Sequence, residues 1–314
     1  MNKFIRIVLL AVLMLAMSSC KAFAQTEDIY IMYTNDVASE VGGEIGYAGV
    51  KGYKNYLESE NEYVTLVDAG DFFDGELSTM SKGEYIVELM NAVGYDVVTL
   101  GNQEFSIGLD ALASNIDASD FDYVSCNLKY LGEGKDPLDK VQPYVIKKYG
   151  WTKIAFIGVT TPETLIPDKQ AYEAICVNGE PIYSFYENDE GLELYEQVQK
   201  TVDKVRKKVD YVIVLAHLGN NSVTDGFSSY DLIDNTYGID VVIDGHSHTV
   251  IPGENVYNAK GDNVILTSTG QKIENFGVLK LSPEHEITSV LYSQTYEIDY
   301  GIEAMVNSIL EQMN

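Results

Sequence analysis

Residues 63–71 read Tyr-Val-Thr-Leu-Val-Asp-Ala-Gly-Asp, an apolar and β-branched run that ends in two carboxylates around a glycine. Such a run predicts a strand, and the acidic cluster predicts a polar turn at the carboxyl end of that strand. The same pattern recurs along the chain. The other polar clusters that follow strand-like runs are Thr34-Asn35-Asp36, Gly101-Asn102-Gln103-Glu104, Ala216-His217 and Gly245-His246-Ser247-His248.

Helix-forming segments separate these strand-like runs, as the apolar spacing at residues 50–57 and 84–93 indicates. Strands that alternate with helices predict a parallel sheet, and functional groups collect at the carboxyl ends of its strands. We therefore expect the clusters to converge at one sheet edge. Three of the four histidines of the chain lie in these clusters. Asp, Asn and His side chains brought together there predict a metal site.

The remaining segments predict one large α/β domain over residues 25–314. Further strands are predicted at 29–34, 96–100, 121–125, 211–215 and 241–243, and a hairpin is predicted at 144–148 and 153–158. Residues 192–209 form a long amphipathic helix, and residues 302–313 form a closing helix. From residue 263 the period is two, which predicts that the sheet ends in antiparallel strands. These elements predict a two-sheet α/β sandwich with helices outside, in the layer order α/β/β/α.

Residues 1–24 are interpreted as a signal peptide, because Lys3 and Arg6 precede a short apolar run and Ala22-Phe23-Ala24 fits a cleavage site. The alternative is lipoprotein processing at Cys20, although Met17-Ser18-Ser19 is an imperfect lipobox. Both interpretations predict an exported protein, which is periplasmic, extracellular or at the cell surface. A lipid anchor through Cys20 distinguishes the second interpretation from the first.

The net charge of the chain is −27. It becomes about −30 once the leader, which carries three basic residues and no acid, is removed. A surface of this charge repels nucleic-acid polymers and excludes them as partners.

Two cysteines follow the leader, Cys126 and Cys176. In an oxidising compartment they either pair or remain two apolar thiols, and the sequence leaves both alternatives open.

In order and spacing, the five clusters resemble those of the calcineurin-like metallophosphoesterases. The resemblance is closest to the catalytic domain of the 5'-nucleotidase and 2',3'-cyclic phosphodiesterase family, in which strands end in T-N-D-x-H, D-A-G-D, G-N-H-E-F-D and G-H-x-H. It covers residues 29–300 and implies the metallophosphoesterase sandwich. It also implies hydrolysis of nucleotide phosphomonoesters or cyclic phosphodiesters by metal-activated water, with zinc, manganese or iron as the divalent ion.

The resemblance also implies the ligands. Asp71 is expected to bridge two ions, of which one is held by Asp71, Asn102, His217 and His246. The other is held by Asp36, Asp71, His248 and a histidine that is Ala38 here, so this site is expected to be weak. Asp68 is expected to be a structural turn acid, Glu104 is expected to lie next to the ligands without binding an ion, and His285 is given no role.

Three residues depart from the family pattern, and all belong to the site. Ala38 and Gln103 replace histidines, and Ser106 replaces the aspartate that orients the second of them. In the family, that imidazole stabilises phosphoryl charge or helps the leaving group depart, a contribution of ~10²–10⁴-fold for acid–base help. Gln103 offers a neutral hydrogen bond instead. With Asp71, it is the catalytic candidate of an enzyme of reduced activity.

The resemblance leaves three functions open. The first is hydrolysis of a small phosphate ester or nucleotide. The second is an inactive metal- or phosphate-binding module, and the third is the same fold acting on a sulfur compound. The chain is interpreted as lacking the C-terminal nucleoside-binding domain of the family, so a separately encoded domain or a homo-oligomer is expected to supply selectivity. Tyr30, Tyr33 and Tyr47 are candidates for stacking on a base.

Overall fold

The structure is a computed structural model that describes residues 27–167, 169–187, 191–220 and 227–313. The predicted signal peptide, with Cys20, lies outside the described residues. In chain order, the strands are β1 (Ile29–Thr34), β2 (Tyr63–Asp68), β3 (Val97–Thr99), β4 (Asp122–Val124), β5 (Lys129–Tyr130), β6 (Tyr144–Tyr149), β7 (Thr152–Thr160), β8 (Cys176–Val177), β9 (Glu180–Pro181), β10 (Tyr183–Ser184), β11 (Tyr211–His217), β12 (Val241–Asp244), β13 (Val250–Tyr257), β14 (Asn263–Thr269), β15 (Phe276–Leu281) and β16 (Ile287–Tyr292).

The α-helices are α1 (Gly46–Glu60), α2 (Glu76–Ser81), α3 (Glu84–Val93), α4 (Gln103–Ser106), α5 (Leu109–Ala118), α6 (Gln170–Ala174), α7 (Leu192–Val205), α8 (Ser229–Asn235) and α9 (Tyr300–Gln312). Two short 3₁₀ helices lie at Pro162–Leu165 and Arg206–Lys208. Within the residues described above, no helix is both long and apolar enough to cross a membrane.

Two six-stranded sheets form the centre of the fold. The first has the order β16-β15-β1-β2-β3-β4, and the second has the order β13-β14-β12-β11-β7-β6. In each sheet four neighbouring strands are parallel, namely β1 to β4 in the first and β14, β12, β11 and β7 in the second. The antiparallel strands β15 and β16 extend the first sheet, while β13 and β6 lie at the two edges of the second.

Three apolar cores confirm the predicted α/β/β/α layers. Successive residues of β1 belong to two different cores, because the side chains of a strand point alternately to opposite sides of the sheet. The core between the sheets includes Ile31, Val67, Ile213 and Ile243. The core between the first sheet and its helices includes Met32, Leu66, Val50 and Leu89. The core between the second sheet and its helices includes Val212, Val214, Val198 and Leu232.

Several predicted elements require correction. The clusters do not share one sheet edge, since β1, β2 and β3 belong to the first sheet and β11 and β12 to the second. The predicted helix over 192–209 ends at Val205 and continues only as a 3₁₀ turn. The prediction of antiparallel strands from residue 263 is confirmed for β14 with β13 and for β15 with β1 and β16, whereas β14 is parallel to its other neighbour, β12. The sequence also did not predict β13.

Candidate functional site

The polar clusters meet where the carboxyl ends of the two sets of parallel strands face each other. Asp36 follows β1, Asp71 follows β2 and Asn102 follows β3, while His217 ends β11 and His246 follows β12. The short loops are tightly constrained, because the non-glycine residues Asp36, Asp71 and His246 have φ angles of +50°, +61° and +76°. Such backbone persists only where surrounding contacts fix it, and it collects at functional sites.

Three side chains at the centre of this site have the geometry of a metal-ligand group. Potential ligand atoms of Asp71, His217 and His246 all lie within 4.8 Å of one another. His217 Nε2 is 3.1 Å from Asp71 Oδ2, and the rings of His217 and His246 have centroids 5.1 Å apart. Carboxylate and imidazole ligands at this separation suit a divalent transition-metal ion.

Two buried atoms beside this group are left without hydrogen-bond partners. His217 is fully buried, and its Nδ1 lies 2.7 Å from the carbonyl oxygen of Ala69, which accepts the proton of that nitrogen. Its Nε2 then faces Asp71 without a hydrogen bond, and the Oδ1 atom of Asn102 is likewise buried and unpaired. Unpaired buried polar atoms are costly, and a cation bound between them would satisfy both.

The electrostatics of the site also favour a cation. Burial lowers the pKa of His217, but the carboxylates of Asp71, Asp36 and Glu104 outweigh that effect and raise this pKa to about 10. Burial raises the pKa of Asp36, and burial together with Asp71 raises the pKa of Glu104 to about 7. These shifts reflect several carboxylates gathered in a small buried volume, and a divalent ion bound among them would offset their negative charge.

Three glycines allow the site loops to approach so closely. A Cβ on Gly101 would lie 2.2 Å from Asp71 Oδ1 and 2.8 Å from His217 Nε2. A Cβ on Gly245 would lie 2.8 Å from His217 Nδ1, and one on Gly70 would lie 2.7 Å from the backbone nitrogen of Gly101. These three glycines thus leave the space in which the ligand atoms gather.

The loops after β2 and β3 are joined by the carboxylate of Glu104. One oxygen accepts the backbone N–H groups of Asp71 and Gly101 at 2.9 and 2.6 Å. The other accepts those of Phe72 and Phe73 at 2.8 and 3.0 Å. Glu104 is fully buried, and these four bonds fix the two loops that carry the predicted ligands.

The second predicted ion site is less complete. His248 Nε2 lies 3.6 Å from Asp36 Oδ1, and the His248 side chain is 47% exposed. The Asp36 carboxylate already accepts the backbone N–H of His246, with both oxygens at 3.0 Å. Ala38 contributes its backbone N–H to the carbonyl of Asp71 and has no side-chain ligand to offer. The structure thus brings Asp36 and His248 together, and Asp71 is the predicted ligand that this second set would share with the first.

Gln103 and Ser106 occupy adjacent positions on one side of the site. The Ser106 hydroxyl donates to Gln103 Oε1 at 2.9 Å, and the backbone N–H of Gln103 donates to Asp71 Oδ1 at 2.8 Å. Both residues face a cleft of ≈ 630 Å³ beside the ligand group. The cleft is lined by Asp74, Asn102, Gln103, Ser106, Glu163, Ile166, Lys169, Gln170, Ala171 and His246.

Sequence reasoning missed two acids of the site. Glu163 Oε2 lies 2.9 Å from His246 Nε2. Asp244 accepts the backbone N–H of Gly219, and burial raises its pKa to about 6. Glu163 follows β7, so the rule that found the other clusters would have found it as well. The prediction had ended that strand at Gly158, two residues before its end at Thr160.

Other candidates have structural roles. Tyr33 and Tyr47 are fully buried and cannot stack on a ligand, so that prediction is wrong for both. Asp68 accepts the hydroxyl of Thr34 and the N–H of Gly70, as expected of a turn acid. Cys126 and Cys176 are free thiols.

The profile of the family described as bacterial capsule synthesis protein PGA_cap matches residues 59–275. Snake venom 5'-nucleotidase from Gloydius brevicauda is 30% identical over 241 residues, which are 71% of this chain and 37% of that protein. The structure of a 5'-nucleotidase precursor from Thermus thermophilus is similar, with a TM-score of 0.76 and 23% identity. That match covers 91% of this chain and 59% of the other.

The structure of the calcineurin-like phosphoesterase YfkN from Bacillus subtilis has a TM-score of 0.69 at 22% identity, and the match covers 91% of this chain and 97% of the other. The curated relatives are longer than this chain, which spans 17% of the first of them and 52% of another. The similarity to them is therefore confined to one part of each relative.

Substitution of Gly101 tests whether the atoms around it bind an ion. In Gly101→Ala, the new methyl group would displace Asp71 and His217, so the affinity for Zn²⁺ or Mn²⁺ should fall at least ~10-fold. Isothermal titration of the metal-depleted protein measures the change. Gly42→Ala is the matched control, because a Cβ there meets nothing closer than Leu310 Cδ1 at 3.9 Å. Unchanged affinity in Gly101→Ala would place the ion elsewhere.

Proposed function

This chain belongs to the bacterial capsule synthesis protein PGA_cap family and has the calcineurin-like phosphoesterase fold, and on that basis we propose that it is an exported, metal-dependent phosphoesterase of the 5'-nucleotidase type with weakened activity. The observation that carries the proposal is the ligand group of Asp71, His217 and His246, with potential ligand atoms within 4.8 Å of one another. The buried, unpaired Oδ1 of Asn102 supplies the fourth ligand of the proposed set.

In this proposal Asp71, Asn102, His217 and His246 hold one divalent ion, and Asp36, Asp71 and His248 hold a second, weaker one. Bound divalent ions supply charge that stabilises a phosphoryl group and lowers the pKa of water. The donor set is compatible with zinc, manganese or iron.

The protein's own contribution at the cleft comes from Gln103. Because the Ser106 hydroxyl engages Gln103 Oε1, the amide Nε2 is the donor left for a phosphoryl oxygen. This neutral donor orients a substrate but has no proton to give to a leaving group. The loss of that help is the physical reason for expecting slow turnover.

The proposed substrate is a small phosphate ester, either a nucleotide phosphomonoester or a cyclic phosphodiester. The cleft of ≈ 630 Å³ beside Gln103 is within the usual size range of small-molecule sites. A separately encoded domain or a homo-oligomer would add selectivity for the leaving group. The alternative function is a metal- or phosphate-binding module without turnover, which Ala38, Gln103 and Ser106 favour.

The ligand sets predict fewer than two tightly held ions per chain. One set has four protein ligands, whereas the other has no side-chain ligand at Ala38. Elemental analysis after exhaustive dialysis should therefore find close to one equivalent, and Asp71→Asn should lower that value. Two retained equivalents in the wild-type protein would show that another group replaces the absent histidine.

Export predicts a processed N-terminus. The leader ends either after Ala24, giving a mature chain that begins at Gln25, or before a lipidated Cys20. Mass analysis of the N-terminal peptide of the native protein distinguishes the two products. An intact Met1 in the native protein would contradict the export proposal.

Restoring the three departures should raise activity. The triple variant Ala38→His, Gln103→His and Ser106→Asp replaces one ion ligand and a hydrogen-bonded pair at positions 103 and 106, which already contact each other. Recovery of acid–base help should increase kcat/KM by ~10²–10⁴-fold over the unmodified chain. Assays should use an aryl phosphate, a 5'-mononucleotide and a cyclic phosphodiester, with Mn²⁺ or Zn²⁺ supplied.

The control for this experiment carries the same three changes together with Asp71→Asn, and it should be inactive. Single restorations should recover little, because residues that act on one transition state have non-additive effects. A triple variant that binds two ions and still does not turn over would favour the binding module. High activity in the unmodified chain would mean that Gln103 suffices.

A further inference from the structure

His246 is held by one contact at its backbone and another at its ring. Its backbone N–H donates to both carboxylate oxygens of Asp36, and its ring Nε2 lies 2.9 Å from Glu163 Oε2. The Glu163 side chain is only 6% exposed and the His246 side chain only 18%. A buried carboxylate in direct contact with a ring nitrogen constrains both the orientation of the imidazole and the position of its proton.

The sequence places Glu163 there through the 3₁₀ helix that follows β7. The Thr161 side chain caps this helix by accepting the backbone N–H of Glu163 at 3.2 Å, and Pro162 occupies the first helical position. Proline is pre-organised for that position, since its φ is fixed and its missing N–H is not required there. The cap fixes the backbone of Glu163 directly opposite His246.

The two central histidines are engaged through opposite ring nitrogens. His217 donates from Nδ1 to the carbonyl of Ala69, which leaves Nε2 toward Asp71. Glu163 contacts His246 at Nε2, so Nδ1 is the ring nitrogen that does not face this carboxylate. A neutral imidazole carries one proton, so an acceptor at one nitrogen makes the other nitrogen the lone-pair donor.

We propose that Glu163 is a positioning residue that keeps the proton of His246 on Nε2 and thereby makes Nδ1 the atom that binds a divalent cation. This inference rests on the proposed metal site and adds a residue to it. Carboxylates that accept the free N–H of a ligating histidine orient its ring and increase its basicity. Glu163 would therefore set the affinity of the ion without contacting it.

The need for such a partner follows from the position of His246. His217 is enclosed on every side, whereas His246 borders the open cleft. Its backbone also has a φ of +76°, which for a residue other than glycine is adopted only under external constraint. Loss of Glu163 would remove the hydrogen-bond acceptor at Nε2, and with it the contact that opposes rotation of the ring toward the cleft.

Three variants test this proposal. Glu163→Ala removes the acceptor, and Glu163→Gln keeps a neutral acceptor of the same size. Glu88→Gln removes the same charge from an exposed position on helix α3 and serves as the control. The first measurement is a two-bond ¹H–¹⁵N correlation spectrum of the metal-free protein, which reports which nitrogen of His246 is protonated. The second is titration with Zn²⁺ and Mn²⁺.

In the wild-type protein and in Glu88→Gln, the Nε2-protonated tautomer of His246 should dominate. Glu163→Ala should shift the population toward the Nδ1-protonated form and weaken ion binding ~10–100-fold. Glu163→Gln should keep the wild-type tautomer, because its amide carbonyl accepts the same proton, with a smaller loss of affinity. If Glu163 only stabilised the local fold, Glu163→Gln would not be expected to preserve the wild-type tautomer of His246.

Two results separate this inference from the proposed function. If wild-type protein binds neither ion, the metal site itself is wrong, and the Glu163 proposal falls with it. If wild-type protein binds an ion and Glu163→Ala keeps both its tautomer and its affinity, only the Glu163 proposal is overturned. Circular dichroism confirms that each variant is folded. If Glu163→Ala fails to fold, an Nδ1-protonated His246 in folded Glu163→Gln or in the wild type would also overturn the proposal.

Discussion

The site depends on one buried carboxylate, that of Glu104, which accepts four backbone N–H groups from the loops after β2 and β3. Those bonds fix the backbone on which Asp71 and Asn102 are carried, so the separation of two proposed ligands is set by a residue that binds no ion. Burying a carboxylate is costly unless its oxygens are hydrogen-bonded, and here all four bonds come from the backbone. Removal of this acid would leave four buried donors unpaired, whereas loss of a ligand at the site surface would leave the loops in place.

The remaining architecture compensates for the strain that this arrangement stores. Asp36, Asp71, His246 and His248 all adopt left-handed backbone, and the carboxylate of Asp71 lies close enough to those of Asp36 and Glu104 to raise the pKa of both. Neither feature stabilises a fold by itself. The three apolar cores on the two faces of each sheet provide the compensating stability, and the parallel strands hold both groups of loops at the same end of the sandwich. The site is thus a locally unfavourable region supported by a large apolar scaffold.

Much of this arrangement could be predicted from the sequence, because strand-like runs and the polar clusters after them are local patterns. The stretch at residues 63–71 predicted both β2 and Asp71, and helix α3 has the predicted bounds of 84–93. The division of strands between two sheets could not be predicted in the same way, since it depends on pairings between distant residues such as Ile213 with Val241. Glu163 was missed because the predicted strand ended at Gly158 instead of Thr160, and its pairing with His246, 83 positions away, is visible only in the three-dimensional structure.

At Ala38 and Gln103, two positions where the sequence departs from the pattern of the family that it resembles, the backbone itself contributes hydrogen bonds to the site. Ala38 donates its N–H to the carbonyl of Asp71, and Ser39 donates its own to Phe72. Gln103 donates its backbone N–H to Asp71, and the Ser106 hydroxyl donates to the side chain at position 103. The backbone bonds of Ala38, Ser39 and Gln103 do not depend on which side chains these residues carry. In this chain the geometry of the proposed ion site and the groups that would speed a reaction are separable, because backbone bonds fix the first and side chains supply the second.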